Sequence, residues 1–290
     1  MPTAPALGVA LRGIGRSFPR TGDVDRVVLR DVDLTVGAGE IIALLGASGS
    51  GKSTLLRLIA GLDAADAGLV ALGGEPVAPV DQRCAVAFQE PRLLPWRTLE
   101  RNVRLGLPRG TAREAGRARV AELLRLVQLQ DAAGLRPRQV SGGMAQRASL
   151  ARALARGPGI LLLDEPFGAL DALTRLTMHD LLLEIHAAEP ATIVLVTHDV
   201  DEALALADRV VLLGDEPGRE GATIRAVLPI AAPRPRDRSD ARLARLRGEL
   251  LERLGVDSHR SPDYVTAAIR RRGATIAPDP AAEPTRPHTF

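Results

Sequence analysis

The sequence is short of aromatic residues, which make up 2% of its 290 positions, and it carries one cysteine, one tryptophan and one lysine. It also lacks any run of eighteen or more apolar residues, so no membrane-spanning helix is expected. The opening stretch 1–18 is interrupted by Pro2, Pro5, Arg12 and Arg16, a pattern that does not fit a secretory leader. Any membrane role is therefore expected to run through a partner. Cys84 has no second cysteine to pair with, which fits a reducing cytoplasm, and it reads as a small buried apolar residue rather than a nucleophile. The net charge of +3 is small for this length and gives no reason to expect a nucleic-acid partner. What the chain does have is 46% hydrophobic residues, enough to bury a real core. The lysine shortage is itself informative. A chain that uses arginine elsewhere has kept one compact ammonium, Lys52, where a planar guanidinium would not fit.

Residues 7–36 alternate short β-type runs with turn residues and predict a small antiparallel sheet ending at Gly37-Ala38-Gly39. Glu40 to Leu45 reads as a buried strand, and Ser53 to Gly61 as a helix with Leu55, Leu56 and Ile59 on its apolar face. From Pro91 to Val140 the pattern is helical and polar, with Ala121 to Val127 its clearest amphipathic piece. Apolar strands are expected at Ile160 to Leu163, Ile193 to Val196 and Val210 to Leu213, and their alternation with helices predicts an α/β fold with a mostly parallel sheet. The expected organisation is one domain over 8–230, with a helical lobe at about 91–155, and an extension over 231–256. Within that extension Leu243, Leu246, Leu250 and Leu254 would line one side of a helix from Asp240. Residues 257–290 read as a disordered tail rich in proline, arginine and alanine. No internal repeat is present.

Gly46-Ala47-Ser48-Gly49-Ser50-Gly51-Lys52-Ser53 fits G-x-x-x-x-G-K-[ST] and sits between a predicted strand and a predicted helix, as that pattern requires. Its glycines let successive backbone N–H groups converge on phosphate oxygens, and the helix start adds its positive dipole end. Lys52 can then reach the β- and γ-phosphates and the Ser53 hydroxyl can ligate Mg²⁺, with Thr54 beside it. The strand Ile160 to Leu163 ends in Asp164-Glu165: the first acid can stand by the metal and the second can polarise an attacking water. A guanine-specific Asn-Lys-x-Asp motif is ruled out, because Lys52 is the only lysine. Between the two halves lies Ser141-Gly142-Gly143-Met144-Ala145-Gln146-Arg147, which taken alone is a plain helix N-cap.

In this order the motifs resemble the nucleotide-binding subunits of ABC transporters, over nearly all of residues 8–215. The matching pieces are the glycine-rich loop, Gln89, Ser141-Gly142-Gly143, Asp164-Glu165, Ala169-Leu170-Asp171 and Thr197-His198-Asp199. The resemblance implies a P-loop NTPase fold with a small antiparallel β subdomain and a helical subdomain, and Mg²⁺-dependent ATP hydrolysis. It implies that Gln89 touches Mg²⁺ and senses a permease, that Asp171 bridges two subunits, and that His198 holds the γ-phosphate and the attacking water, with Glu165 catalytic. It also implies a homodimer, each ATP lying between the phosphate loop of one subunit and Ser141, Gly142, Gly143 and Met144 of the other. Further implied partners are a membrane permease and, indirectly, an extracytoplasmic substrate-binding protein, which would place the chain on the cytoplasmic face of the cell membrane. Phe18 lies where an aromatic ring stacks on adenine in that family, with core packing as its alternative; Trp96 is either a permease contact or a side chain packed under its loop.

Val140 and Met144 depart from the leucine and glutamine usual in that signature but leave its serine and glycines in place. Met144, the run Phe88 to Trp96, the run Asp164 to Asp171 and Pro233-Arg234-Pro235-Arg236 are similar to the importers for aliphatic sulfonates, nitrate and taurine, and most similar to those for aliphatic sulfonates. The competing readings are a soluble family member working on DNA or ribosomes, or an exporter subunit. His179 and His186, two helical turns apart, are too distant to share one ion and read as surface or packing residues.

Overall fold

A computed structural model describes residues 4–20, 23–237 and 239–255. The tail expected at 257–290 lies outside these residues. Strands β1 (Val9–Arg20) and β2 (Asp23–Val36) pair antiparallel, from Val9 opposite Val36 to Phe18 opposite Arg26. After β3 (Ile41–Leu45) and α1 (Lys52–Ile59) come three short strands: β4 (Ala67–Leu72), β5 (Glu75–Pro76) and β6 (Cys84–Ala87). Helices α2 (Leu99–Arg104), α3 (Arg113–Leu126) and α4 (Gly142–Leu154) follow. The chain continues through β7 (Ile160–Asp164), α5 (Ala172–Ala188), β8 (Thr192–Val196) and α6 (Val200–Leu206). It closes with β9 (Arg209–Glu216), β10 (Arg219–Pro229) and α7 (Ala241–Arg253).

All ten strands join one sheet in the order β5-β4-β1-β2-β10-β9-β3-β8-β7-β6. The run β9-β3-β8-β7-β6 is parallel, as its buried apolar strands require. The antiparallel β1, β2, β4 and β5 are attached to this core through one pair, Ala222 of β10 opposite Leu29 of β2. The reading of residues 7–36 as a small sheet thus holds locally, but β4, β5 and β10 extend it.

Because side chains alternate across a strand, the core strands feed two cores. Ile41, Ala43, Leu45, Leu161, Leu163, Ile193 and Leu195 face one, which also takes the apolar faces of α2 to α7. Ile42, Leu44, Ile160, Leu162, Val194 and Val196 face the other, with Leu55, Leu56 and Ile59 of α1 and the antiparallel strands. Leu162 is fully buried, and its truncation to alanine would cost about 2–5 kcal/mol. Cys84 is 4% exposed and its thiol is pushed up to about 12 by burial, so it is an apolar core residue. His179 is buried with its ring 5.4 Å from that of Phe167, and His186 Nε2 lies 3.1 Å from Gly39 O, so both are packing residues. Leu243 and Leu250 of α7 are buried, with Leu246 and Leu254 half-buried beside them.

The parallel register aligns Leu44 of β3 and Asp164 of β7 with Val196 of β8. The carboxyl ends of three strands therefore deliver residues 46–53, Asp164-Glu165 and Thr197-His198 to one rim, where open α/β sheets bind ligands.

Candidate functional site

The loop after β3 needs its glycines for two reasons. At Gly46 an added Cβ would sit 2.2 Å from the Leu213 carbonyl oxygen, a backbone clash with no escape. At Gly51, which caps α1, the backbone is left-handed with φ +85° and a Cβ would meet Leu29 Cδ2 at 2.7 Å. Lys52 opens α1 and is only 6% exposed. Its Nζ donates to the carbonyls of Gly46 at 2.8 Å and Ala47 at 2.9 Å. Burial lowers the Lys52 pKa, while the Glu165 and Asp164 carboxylates oppose that shift. The ammonium is thus held within its own loop, pre-positioned for an anion.

Ser53 Oγ donates to Asp164 Oδ1 at 2.9 Å. The next residue, Glu165, has φ 46°, a left-handed conformation whose cost of about 1–3 kcal/mol in a non-glycine residue is tolerated mainly at working sites. That turn aims its carboxylate into the rim. Gln89 Nε2 donates to Glu165 Oε2 at 3.2 Å, and His198 Nδ1 lies 3.4 Å from the same oxygen. Ser53, Asp164, Glu165, Gln89 and His198, spread over the sequence, are one cluster. A cavity of about 280 Å³ opens beside it, lined by Ser48, Gly49, Gly51, Lys52, Ser53, Thr54 and Glu165. Arg26 and Val28 complete its wall; the sequence reading missed both. A larger cavity of about 690 Å³ lies between α5 and Arg234-Pro235 and contains none of the phosphate-loop, acid-pair or signature residues.

The remaining candidates lie outside this cavity. Ser141 caps α4, its Oγ accepting from Met144 N at 3.2 Å. Gly143 is required by packing, since a Cβ there would meet Thr174 Cγ2 at 2.8 Å, whereas a Cβ on the exposed Gly142 would meet nothing within 4 Å. Asp171 caps α5 and is held below the usual carboxylate range by the Thr174 hydroxyl and N–H, at 2.6 and 3.0 Å. Phe18 is half-buried, with the Arg16 guanidinium 4.6 Å from its ring centre. Trp96 is 66% exposed, which removes the alternative of packing under its loop.

Two bracing networks also escaped sequence reasoning, because long arginine and glutamine side chains leave no periodic trace. Gln146 of α4 donates to Phe88 O at 3.2 Å, and Arg152 donates to Pro91 O and Arg92 O at 2.8 and 2.7 Å. The segment around Gln89 is thereby bonded to the helix that begins at the Ser141 cap. On the other side Arg175 donates to Asp199 Oδ2 at 3.0 Å and to Leu170 O at 3.1 Å, linking the Asp171 and His198 loops. Thr197 Oγ1 donates to Glu202 Oε2 at 2.8 Å. Glu202 is 2% exposed and burial pushes it up to about 7. The one legible trace of this network was Asp199-x-x-Glu202, a capping-box spacing at the start of α6.

The donor set suits Mg²⁺ with a polyphosphate. The Ser53 hydroxyl, the Asp164 carboxylate and the Gln89 amide oxygen are hard oxygen donors on one rim, beside a loop of backbone N–H groups and a buried ammonium.

The family model described as ABC transporter matches residues 29–168. The chain is 49% identical over 235 residues to aliphatic sulfonates import ATP-binding protein SsuB 1 of Xanthomonas axonopodis pv. citri, an alignment covering 79% of this chain and 91% of that protein. It is 50% identical over 255 residues to aliphatic sulfonates import ATP-binding protein SsuB of Rhodopseudomonas palustris, covering 87% and 85% of the two chains. Among solved structures it is similar to the dimeric post-hydrolysis state of the ATP-binding cassette MJ0796 bound to ADP and Pi, with a TM-score of 0.68 and 31% identity over 78% of this chain and 100% of that one. With the P-loop, the acid pair and the capped signature helix in these positions, the chain belongs to the ABC transporter family, among its import ATP-binding subunits.

Proposed function

We propose that the chain hydrolyses Mg-ATP as the motor subunit of an importer for aliphatic sulfonates. The observation that carries the chemistry is the convergence of Gln89 and His198 on one oxygen of Glu165, a residue turned toward the cavity by its positive φ. Lys52 and the loop N–H groups bind the phosphates. Ser53, Asp164 and Gln89 would hold Mg²⁺, which when bound neutralises phosphate charge. Glu165 orients and deprotonates a water for attack on the γ-phosphate, and His198 steadies both. Phe18 offers its ring to the adenine.

The open surface at Gly142 supports the dimer. Its own chain does not require a glycine there, whereas close approach of a second subunit's nucleotide does. Ser141, Gly143, Met144 and Asp171 belong to that contact in this reading. A permease is supported by a hollow beside the Gln89 segment, where Leu62, Val80, Phe88 and Leu105 stand with the charged Asp81, Arg152 and Arg156. Trp96, the most exposed of the aromatic candidates, would join it, and the helical lobe at about 91–155 would receive the permease. Among the described residues no helix is long and apolar enough to cross a membrane, so in this reading the chain is held at the cytoplasmic face by that permease. The binding protein would select the cargo outside.

The decisive experiment purifies the chain with its permease and binding protein, then measures phosphate release and the ligand held by the binding protein. ATPase activity that rises with permease, together with a bound aliphatic sulfonate, supports the reading. Bound nitrate or taurine overturns the cargo alone. Absence of ATP hydrolysis by the whole complex overturns the motor.

A further inference from the structure

Arg26 and Val28 of β2 both approach the phosphate loop, beside the irregularity at which Arg16 pairs with Leu29 but Ser17 with Val27. A Cβ on Gly51 would lie 3.0 Å from Val28 Cγ1, and a Cβ on Gly49 would lie 3.8 Å from Arg26 Nη2. Both residues line the cavity with Ser48, Lys52 and Ser53. Arg26 is exposed, and among the described residues no hydrogen bond or ion pair engages its guanidinium. Nearby arginines are engaged: Arg16 by Asp63 and Asp66, Arg30 by Glu216. The cavity therefore has two cations, one on α1 bound to its own loop and one on β2 with no partner. A polyphosphate brings more negative charge than one ammonium neutralises, and a guanidinium fork fits phosphate oxygens two at a time.

We infer that Arg26 is a second polyphosphate-binding cation, pairing with a non-bridging phosphate oxygen from the β2 side while Lys52 holds the chain of phosphates from the helix side. This rests on the ATP reading above. It assigns the contact to phosphate rather than to the base, although Arg26 stands opposite Phe18 across the β1–β2 pair.

The test compares wild type, Arg26→Met and Arg26→Lys for binding of Mg-ATP and of Mg-tripolyphosphate, which has no base or ribose, each displacing a fluorescent ATP analogue. Because Arg26 is exposed, both variants should keep the wild-type melting temperature. Arg26→Met should weaken both ligands roughly tenfold. Arg26→Lys should recover part of the loss, and the difference should shrink as salt rises. An Arg26→Met protein that binds tripolyphosphate as tightly as wild type overturns the inference; if its ATP binding is nonetheless weaker, the contact is with the base. Wild-type protein that binds neither ligand overturns the ATP reading and this inference together.

Discussion

The Gln89 side-chain amide donates to Glu165 at 3.2 Å, so the residue bonded to the carboxylate at the centre of the rim also belongs to the segment that Gln146 and Arg152 anchor to α4. A displacement of that segment by a partner would move the Glu165 carboxylate directly, without passing through the sheet.

Replacing Glu165 with glutamine keeps its volume and removes the base. Turnover should fall by a factor of about 100 or more, with ATP-dependent dimerisation retained. Phosphate release and analytical ultracentrifugation measure the two halves, and a fully active variant would remove Glu165 from its assigned role.

Lys52→Arg preserves charge but places a wide planar group where the ammonium fits between two loop carbonyls. Nucleotide binding should weaken by roughly 2 kcal/mol, about thirtyfold, as read by fluorescence titration. Unchanged affinity would mean that charge alone is needed there.

The two glycines of the signature should separate cleanly. Gly143→Ala forces a Cβ against Thr174 and should cost about 1–3 kcal/mol in thermal stability without any nucleotide. Gly142→Ala should leave the melting temperature unchanged or slightly raised, since alanine is the better helix former, yet weaken the ATP-dependent dimer. Loss of stability at Gly142 would indicate a role within its own subunit.

Glu202 makes stability pH-dependent. Its pKa rises from 4.5 to about 7 on folding, so the native state binds more protons than the unfolded chain between these values. Stability is therefore greatest toward pH 4.5 as far as this group is concerned and declines as pH climbs through 7, by a total of about 3 kcal/mol. Glu202→Gln, which can still accept from Thr197, should flatten that slope in thermal melts taken across the range. A slope unaltered by the substitution would assign the dependence to other groups.

Trp96→Ala should leave ATP hydrolysis by the isolated chain intact and abolish its stimulation by permease, because the side chain projects away from the protein. Equal stimulation in the variant would place the contact elsewhere.

Legibility followed how local each constraint was. The Lys52 loop, the strand ending in Asp164-Glu165 and the cap at Ser141 are runs of adjacent residues whose spacing is the geometry, whereas the cap that Asp171 forms on α5 was not read. The wholly apolar runs of β3, β7 and β8 were equally plain. By contrast β6 is the small-residue stretch Cys84–Ala87, and β5 is only Glu75–Pro76, too short for a period to show. In β1, register shifts between Leu11 and Ile14 and again at Arg16 break the alternation, so the sheet over 7–36 was readable but its pairing was not. Arg26 escaped because its importance comes from the loop that folds against it, more than twenty residues later.

Lys52 is the only lysine of the sequence, and its pKa is lowered by burial in the phosphate loop. An acylating reagent therefore meets a single side-chain amine in the whole protein, at the centre of the site. Its rate of modification becomes a direct chemical count of how often that site stands open, readable by peptide mass mapping, which separates Lys52 from the α-amino group of the chain, with no label attached to the nucleotide.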